Sequence, residues 1–237
     1  MIDAHCHLMD MGDYDVKGCK LEKIANCSYD LESSLRAISM KKEFYDKLYC
    51  VIGVSPQKCM LDRNIWQVNE LQKIIENEYV VDGIGEIGLD FYWAGDELKK
   101  RMQREGFMRQ IAIAEELEKP LVIHSRNAVK ECIDMLSKFD YGVMFHFYSG
   151  SVNDAMEIID RGWYISIPPV KGKERKKVIE SVNISNLVAE TDAPYVGKTP
   201  DDVIRSISII AEVKQMMERE VEIITSRNVL DFFRCSS

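Results

Sequence analysis

The stretch VVDGIGEIGLDFYWAGDELKKRMQREGFMRQIAIAEELEKPLVIH, residues 80–124, contains a short apolar run, a long helical segment and a second short apolar run. The two apolar runs, residues 80–84 and 121–123, have the length and aliphatic composition of buried strands. Residues 97–117 have the period of a helix. A strand–helix–strand unit of this kind predicts two parallel strands, because the crossover helix returns the chain to the end of the sheet at which the first strand began.

The same alternation extends over the 237 residues. Predicted strands lie at residues 2–4, 23–27, 48–54, 80–84, 121–123, 143–145, 164–167 and 187–189. Predicted helices include residues 65–76, 97–117, 129–139, 152–160, 173–181 and 203–219, and residues 223–233 predict a last helix that packs back on the strands through Val229, Phe232 and Phe233. Eight such strands favour an α/β fold of the TIM type, a closed (β/α) barrel. An open doubly wound sheet is the alternative, because the pattern does not show closure.

Composition limits the function classes. No linker or repeat divides the chain, so we expect one domain over residues 1–237 that acts as a monomer. No apolar run has the length of a membrane span, no signal peptide is visible, and the seven cysteines contain no CxxC pair, which together predict a cytoplasmic protein without disulfides. The net charge of −8 disfavours general nucleic-acid binding, since that affinity comes from cations that neutralise phosphates.

All four histidines follow predicted strands. His5 and His7 form an H-x-H pair after the first strand, where alternation brings both imidazoles to one side and turns Cys6 away as a packed core thiol. His124 and His146 each follow a later strand directly. A single histidine at a strand end is ordinary, but four of them at the carboxyl ends of barrel strands predict a metal site.

Two carboxylates complete the predicted ligand set. Glu86 follows the fourth strand and Asp192 follows the eighth. Six ligands exceed the need of one hydrolytic ion with an open position, so two divalent ions bridged by Glu86 fit better. The ligands are then His5, His7 and Asp192 for one ion and His124 and His146 for the other, with Glu86 shared. A metal-activated water is the nucleophile, Asp192 orients it and accepts its proton, and Asp192 and Glu86 are the predicted catalytic residues.

With these residues in view, the chain resembles the TatD family of metal-dependent deoxyribonucleases, within the amidohydrolase superfamily. The resemblance covers nearly the whole chain and is carried by DAHCH at 3–7, GEIGLDF at 85–91, HSR at 124–126, FHFYSG at 145–150 and ETDAPY at 190–195. It implies a TIM-type barrel, hydrolysis of phosphodiester bonds in DNA with Mg²⁺ or another divalent ion, and the same six metal ligands.

The chain departs from the family pattern at two places. The family usually has a histidine in the G-x-H-P stretch after the third strand, where this chain has Ser55. The family's basic segment after the aspartate is replaced by residues 193–203, which carry Lys198 against Asp201 and Asp202. Both changes spare the predicted ligands and concern the substrate.

Several polar residues near the ligands have two interpretations each. Arg126 holds a substrate phosphate or forms a salt bridge at the rim, and Tyr148 and Tyr195 contact substrate or pack at the rim. Asp90 supports a ligand or, slightly better, caps a helix. The basic run at residues 173–177 favours a solvated helix face over a nucleic-acid surface.

Three functions remain open on the sequence. The first is a phosphodiesterase or deoxyribonuclease acting on DNA, a short oligonucleotide or a small phosphodiester. The second uses the same metal site on another phosphate ester or a C–N or C–O bond, and the third is a non-catalytic, degenerate member. The four imidazoles favour Zn²⁺, Mn²⁺, Fe²⁺ or Ni²⁺ by ligand type, whereas the resemblance favours Mg²⁺.

Overall fold

The short apolar runs form one sheet in the structure, a computed structural model that describes residues 1–61 and 64–234, with only the backbone at residues 64–66. In this part of the chain eight parallel strands pair in sequence order, each with the next. The strands are β1 Ile2–Cys6, β2 Lys23–Cys27, β3 Leu48–Ile52, β4 Gly83–Asp90, β5 Leu121–Arg126, β6 Val143–Phe145, β7 Tyr164–Ile167 and β8 Leu187–Ala189. Consecutive order excludes the doubly wound sheet, which reverses direction at a switch point.

Helices follow the strands and cover the outside of the sheet. They are α1 Leu31–Glu43, α2 Pro56–Cys59, α3 Asn64–Asn77, α4 Glu97–Glu116, α5 Val129–Met135, α6 Val152–Asp160, α7 Lys173–Ser181, α8 Val203–Lys214 and α9 Glu218–Arg234. Local sequence sets several of their starts: Asp30 accepts the amide of Ser33 to begin α1, and Asp96 accepts the amide of Lys99 to begin α4.

Closure of the barrel occurs between β1 and the segment after β8. The amide of Asp192 donates to the carbonyl of His5 at 2.9 Å, and the amide of His7 donates to the carbonyl of Ala193 at 2.7 Å. The TIM-type barrel predicted from the sequence is therefore confirmed. Closure places the carboxyl ends of β1 and β8 side by side, so residues about 185 positions apart become neighbours.

The last helix covers the opposite, amino-terminal end of the barrel. Phe233 stacks on Tyr49 with ring centroids 4.0 Å apart, and Phe232 contacts Tyr164, each partner lying early in its strand. Both phenylalanines and Val229 belong to one buried cluster with aliphatic residues of the strands. The predicted packing of the last helix through these three residues is confirmed.

Some predicted boundaries are wrong. The strand predicted at residues 80–84 is β4 at Gly83–Asp90, and His5 and His124 lie within β1 and β5 rather than after them. The error arises because polar side chains were taken to end a strand, whereas here they point into the carboxyl end of the barrel. The helix predicted at 203–219 ends at Lys214, because Gln215 adopts a left-handed conformation with φ of 54°.

No helix in the described residues is long and apolar enough to cross a membrane. The six described cysteines are free thiols, and all but Cys19 are buried, in agreement with the prediction of packed thiols. The seventh, Cys235, lies outside the described residues.

Candidate metal centre

Strand β1 presents the H-x-H pair to the carboxyl end of the barrel. The Nε2 atoms of His5 and His7 lie 3.3 Å apart, and both rings are buried. Nδ1 of His7 is 2.7 Å from the carbonyl of Cys27 and donates to it, which leaves the Nε2 lone pair free for a cation. Cys6 is buried with its thiol toward the carbonyl of Ala25, so its predicted orientation away from the histidines is confirmed.

The second histidine pair comes from β5 and the end of β6. Nδ1 of His124 lies 3.1 Å from Nε2 of His146. Nε2 of His124 donates to the Asp90 carboxylate at 2.9 Å, so Nδ1 carries the lone pair that faces His146. Asp90 therefore supports a predicted ligand. The favoured interpretation of Asp90 as a helix cap is wrong, because α4 is capped by Asp96.

Glu86 lies between the two histidine pairs. Its Oε1 is 2.7 Å from Nδ1 of His124 and 3.3 Å from Nε2 of His146. Its Oε2 is 3.7 Å from the Nε2 atoms of both His5 and His7. One carboxylate thus offers a different oxygen to each pair, an arrangement that would allow it to be shared by two ions.

Asp192 completes the first group of predicted ligands. Its Oδ1 lies 3.3 Å from Nε2 of His7 and 3.8 Å from Nε2 of His5. Asp192 has φ of 50°, an uncommon conformation for a non-glycine residue that is often retained at functional sites. The Asp3 carboxylate holds this turn by accepting the amide and the hydroxyl of Thr191.

The spacing of these atoms suits divalent ions. Two ligand atoms bonded to one ion at about 2.1 Å and at angles of about 90–110° lie roughly 3.0–3.4 Å apart. The distances between the imidazole nitrogens within each pair, and from His7 to Asp192, fall in this range. Three sets of ligand atoms each lie within 4.8 Å of one another: His5, His146 and Asp192; His5, His7 and Glu86; and Glu86, His124 and His146.

Burial and mutual charge determine the protonation of this cluster. Burial opposes the charged form of Glu86, but the neighbouring His146 and His124 outweigh it and hold the pKa of Glu86 well below its usual value. Burial, with the charges of His146 and His7, lowers the pKa of His5. Burial also disfavours charged His146, yet Glu86 and Glu190 raise the pKa of His146 well above its usual value. The cluster without ions is therefore an anionic carboxylate among imidazoles that partly hold protons.

A cavity of about 650 Å³ opens onto the ligands. Of the six predicted ligands, all but the fully buried His5 line it. Its other walls contain residues to which sequence reasoning assigned no role: Tyr29, Gln57, Lys58 and Trp93. These residues come from the segments that follow β2, β3 and β4, with Gln57 and Lys58 in the short helix α2. The proximity of Gln57 and Lys58 to the Ser55 position was the only sequence signal for them.

The predicted substrate residues have different environments. Arg126 and Tyr195 both line the cavity. Tyr195 is 62% exposed and donates its hydroxyl to Asp10 at 2.8 Å. Tyr148 is only 2% exposed and donates its hydroxyl to the carbonyl of Ser151, which is the rim packing given as its alternative.

The residues at the two departures from the family pattern lie near the site. Ser55 lines the same cavity as the ligands. Asp201 and Lys198 line a second cavity of about 1120 Å³, which also contains Asp10, Asp13 and Asp15. With Lys20 also in its lining, this second cavity carries four aspartates against two lysines.

Two of the four cations in the basic run at residues 173–177 are paired with carboxylates. Lys177 pairs with Glu174 at 2.7 Å, Lys176 pairs with Glu180, and the preceding Lys171 pairs with Glu212. All of these side chains are exposed. The solvated helix face is thus the better description of this segment.

A parallel barrel with two pairs of histidines and a carboxylate between them at its carboxyl end is the arrangement expected of a metal-dependent hydrolase, and the comparisons with known proteins agree. The profile of the family described as TatD related DNase matches residues 2–234. An uncharacterized metal-dependent hydrolase of Methanocaldococcus jannaschii is 33% identical, with 98% of this chain and 96% of the relative covered. The human deoxyribonuclease TATDN3 is 29% identical, with 98% and 94% covered.

Among solved structures, the fold is similar to that of YJJV, a TatD homologue of Escherichia coli. The TM-score is 0.88 at 22% identity, with 99% of this chain and 98% of that chain covered. The chain belongs to the TatD family, and it is a metal-dependent hydrolase as the sequence predicts.

Proposed function

We propose that this chain is a phosphodiesterase that hydrolyses DNA or short oligonucleotides with two divalent ions. The observation that carries the proposal is the position of Glu86, whose two oxygens face separate imidazole pairs. The family description and the printed name of the human relative support DNA as the substrate. His5, His7 and Asp192 would hold one ion, His124 and His146 the other, and Glu86 both.

The ions would polarise the scissile phosphate and lower the pKa of a water between them. The side chains of the protein orient the reaction. Asp192 faces the open cavity beside His7 and is placed to orient the attacking water and accept its proton. Asp90 and the carbonyl of Cys27 hold His124 and His7 in the tautomers that direct a lone pair into the site.

Substrate contacts are assigned to cavity residues with suitable chemistry. Arg126 is exposed and can donate two parallel hydrogen bonds to a phosphate. Lys58 lines the same cavity and is held by Asp30 at 2.7 Å. Tyr195 contacts the His7 ring and borders the approach to the ligands.

The test is metal analysis of the purified protein combined with nuclease assays in Mg²⁺, Mn²⁺ and Zn²⁺. We expect two ions per chain at saturation and cleavage of a single-stranded oligonucleotide with at least one of them. A protein that binds two ions but cleaves other phosphate esters or amides, and no oligonucleotide, would support a different substrate. A protein that binds no metal would contradict the proposal as a whole.

We also propose that residues 1–237 act as one monomeric domain in the cytoplasm, because the described thiols are unpaired and one barrel holds every proposed ligand. Light scattering coupled to size-exclusion chromatography tests the monomer: a mass near 27.3 kDa is expected. A mass of twice this value would contradict it.

A further inference from the structure

The turn after β4 carries two large aromatic side chains, of which Trp93 lines the metal cavity. Tyr92 and Trp93 are 55% and 57% exposed, respectively. Their rings meet edge to face, with centroids 5.0 Å apart and an interplanar angle of 88°. An exposed indole contributes little to folding, since hydrophobic stabilisation requires burial, so a ring exposed at a site entrance suggests a ligand contact.

The guanidinium of Arg126 contacts this aromatic pair. Its guanidinium lies 3.8 Å from the centroid of Tyr92 and 5.9 Å from that of Trp93. No carboxylate of the described residues forms an ion pair with it, and its exposed side chain lines the metal cavity. Tyr92 thus supports the guanidinium, and Trp93 remains beside it as an open ring that lines the cavity.

The position of Trp93 relative to the metal ligands is determined by the backbone. Its amide donates to one oxygen of Asp90 at 3.2 Å, and the other oxygen of Asp90 accepts from Nε2 of His124. A single buried carboxylate therefore holds both the ligand and the turn that carries the indole. Because the link uses the amide of Trp93, the side chain can be changed without breaking it.

From these contacts we infer that Trp93, with Tyr92 and Arg126, forms a subsite that stacks one nucleobase of a nucleotide whose phosphate lies at the metals. The inference rests on the proposed hydrolysis of oligonucleotides and adds the residue that recognises the base. A cation for the phosphate beside an aromatic face for the base is the combination by which proteins hold single strands without sequence preference. The subsite accepts any base, because every base has a π face.

The experiment compares two substrates in two proteins. The substrates are a short oligonucleotide and the same oligonucleotide with one abasic residue, placed on either side of the scissile phosphate. The proteins are the wild type and Trp93→Ala, with Trp93→Phe as the conservative variant. Tyr79→Ala is the matched control, because Tyr79 is 84% exposed and lies outside the cavity.

For the wild type we expect one of the two abasic substitutions to lower kcat/KM by roughly 5- to 150-fold. Trp93→Ala should lose a similar factor on the intact oligonucleotide, mainly through KM, and should no longer distinguish it from the abasic one. Trp93→Phe should recover part of the loss, while metal content and the Tyr79→Ala variant remain unchanged. Undiminished discrimination by Trp93→Ala, or an equal loss on both substrates, would overturn the subsite.

Binding of the same oligonucleotides is measured in parallel by fluorescence anisotropy with metal present. A wild type that cleaves neither substrate yet binds the intact one more tightly, through Trp93, would overturn the proposed hydrolysis and retain the subsite. A wild type that cleaves and binds both substrates equally well would retain the hydrolysis and overturn the subsite.

Discussion

At the scale of single residues, Glu86 is the carboxylate that lies between the two proposed cation sites, and its negative charge reduces the repulsion between the two cations. Replacing Glu86 by Gln keeps the shape of the side chain but removes the negative charge between the imidazole pairs. We expect Glu86→Gln to lose at least one ion and nearly all hydrolysis while it remains folded. Metal content, kcat and the thermal unfolding curve measure the three effects.

The matched control for Glu86→Gln is Glu212→Gln, since Glu212 is an exposed glutamate that pairs with Lys171 far from the ligands. It should behave as wild type in all three measurements. Two bound ions and wild-type turnover in Glu86→Gln would show that the two ions do not share this residue.

The protonation of the imidazoles determines how activity should respond to acid. Glu86 and Glu190 overcome the effect of burial and raise the pKa of His146, so the metal-free protein retains this proton at a higher pH than an isolated imidazole would. Since an ion must displace the proton, the apparent metal affinity falls as pH falls through the raised pKa. We expect an acid limb in the profile of kcat/KM against pH that moves to lower pH as metal is added, by about one pH unit per tenfold increase if one proton is displaced. A limb that does not respond to metal concentration would indicate a protein acid or base instead.

At the scale of secondary structure, β4 and β5 must approach closely for Glu86 and His124 to meet. Gly88 pairs with His124 across the two strands and has φ of 133°, and a Cβ there would lie 2.1 Å from the carbonyl oxygen of His124. We expect Gly88→Ala to lower the free energy of unfolding by about 1–3 kcal/mol, because an alanine is strained in this backbone conformation. It should also weaken metal binding, since relief of the contact moves β5. Chemical denaturation and metal titration test both effects.

Gly95→Ala is the control for this pair of strands. Gly95 follows the turn after β4, and no atom lies within 4 Å of a Cβ built there. Its substitution should leave metal binding unchanged and leave stability equal or slightly higher, through loss of freedom in the unfolded chain. If both alanine variants bind metal like the wild type, the close approach of the strands is not what positions His124.

At the scale of the whole molecule, the negative charge of the protein opposes the binding of a long nucleic-acid strand. The net charge is −8, and four aspartates line the cavity beside the metal site: Asp10, Asp13, Asp15 and Asp201. Few counterions are released when few phosphates are neutralised, so we expect a dinucleotide to be cleaved nearly as well as a long single strand, with a shallow dependence on salt. The measurement is kcat/KM for both substrates at several salt concentrations. A large advantage for the long strand with a steep salt slope would implicate another cationic surface, with the segment 171–177 as the first candidate.

The architecture, and the meeting of the six predicted ligands at one end of the barrel, could be predicted from sequence for a simple physical reason. Buried parallel strands must be apolar, crossover helices must be amphipathic, and a barrel directs the carboxyl ends of all its strands to one face. Four histidines and two carboxylates near those ends therefore had to converge once the barrel closed. The convergence of His5 with His146, whose rings stack at 4.0 Å, needed no knowledge of the intervening loops.

The tertiary structure alone decided which groups surround the ligands. Asp90 could have capped a helix, and its bond to His124 depends on the paired register of β4 and β5. The indole of Trp93 lies at the cavity because a turn of three residues follows that register. Tyr148, two residues after His146 in sequence, is instead buried and donates its hydroxyl to the carbonyl of Ser151. Periodicity along one segment determines which face of an element is buried. Contacts between loops depend on turn conformation and on barrel closure, and both arise from interactions between residues far apart in the chain.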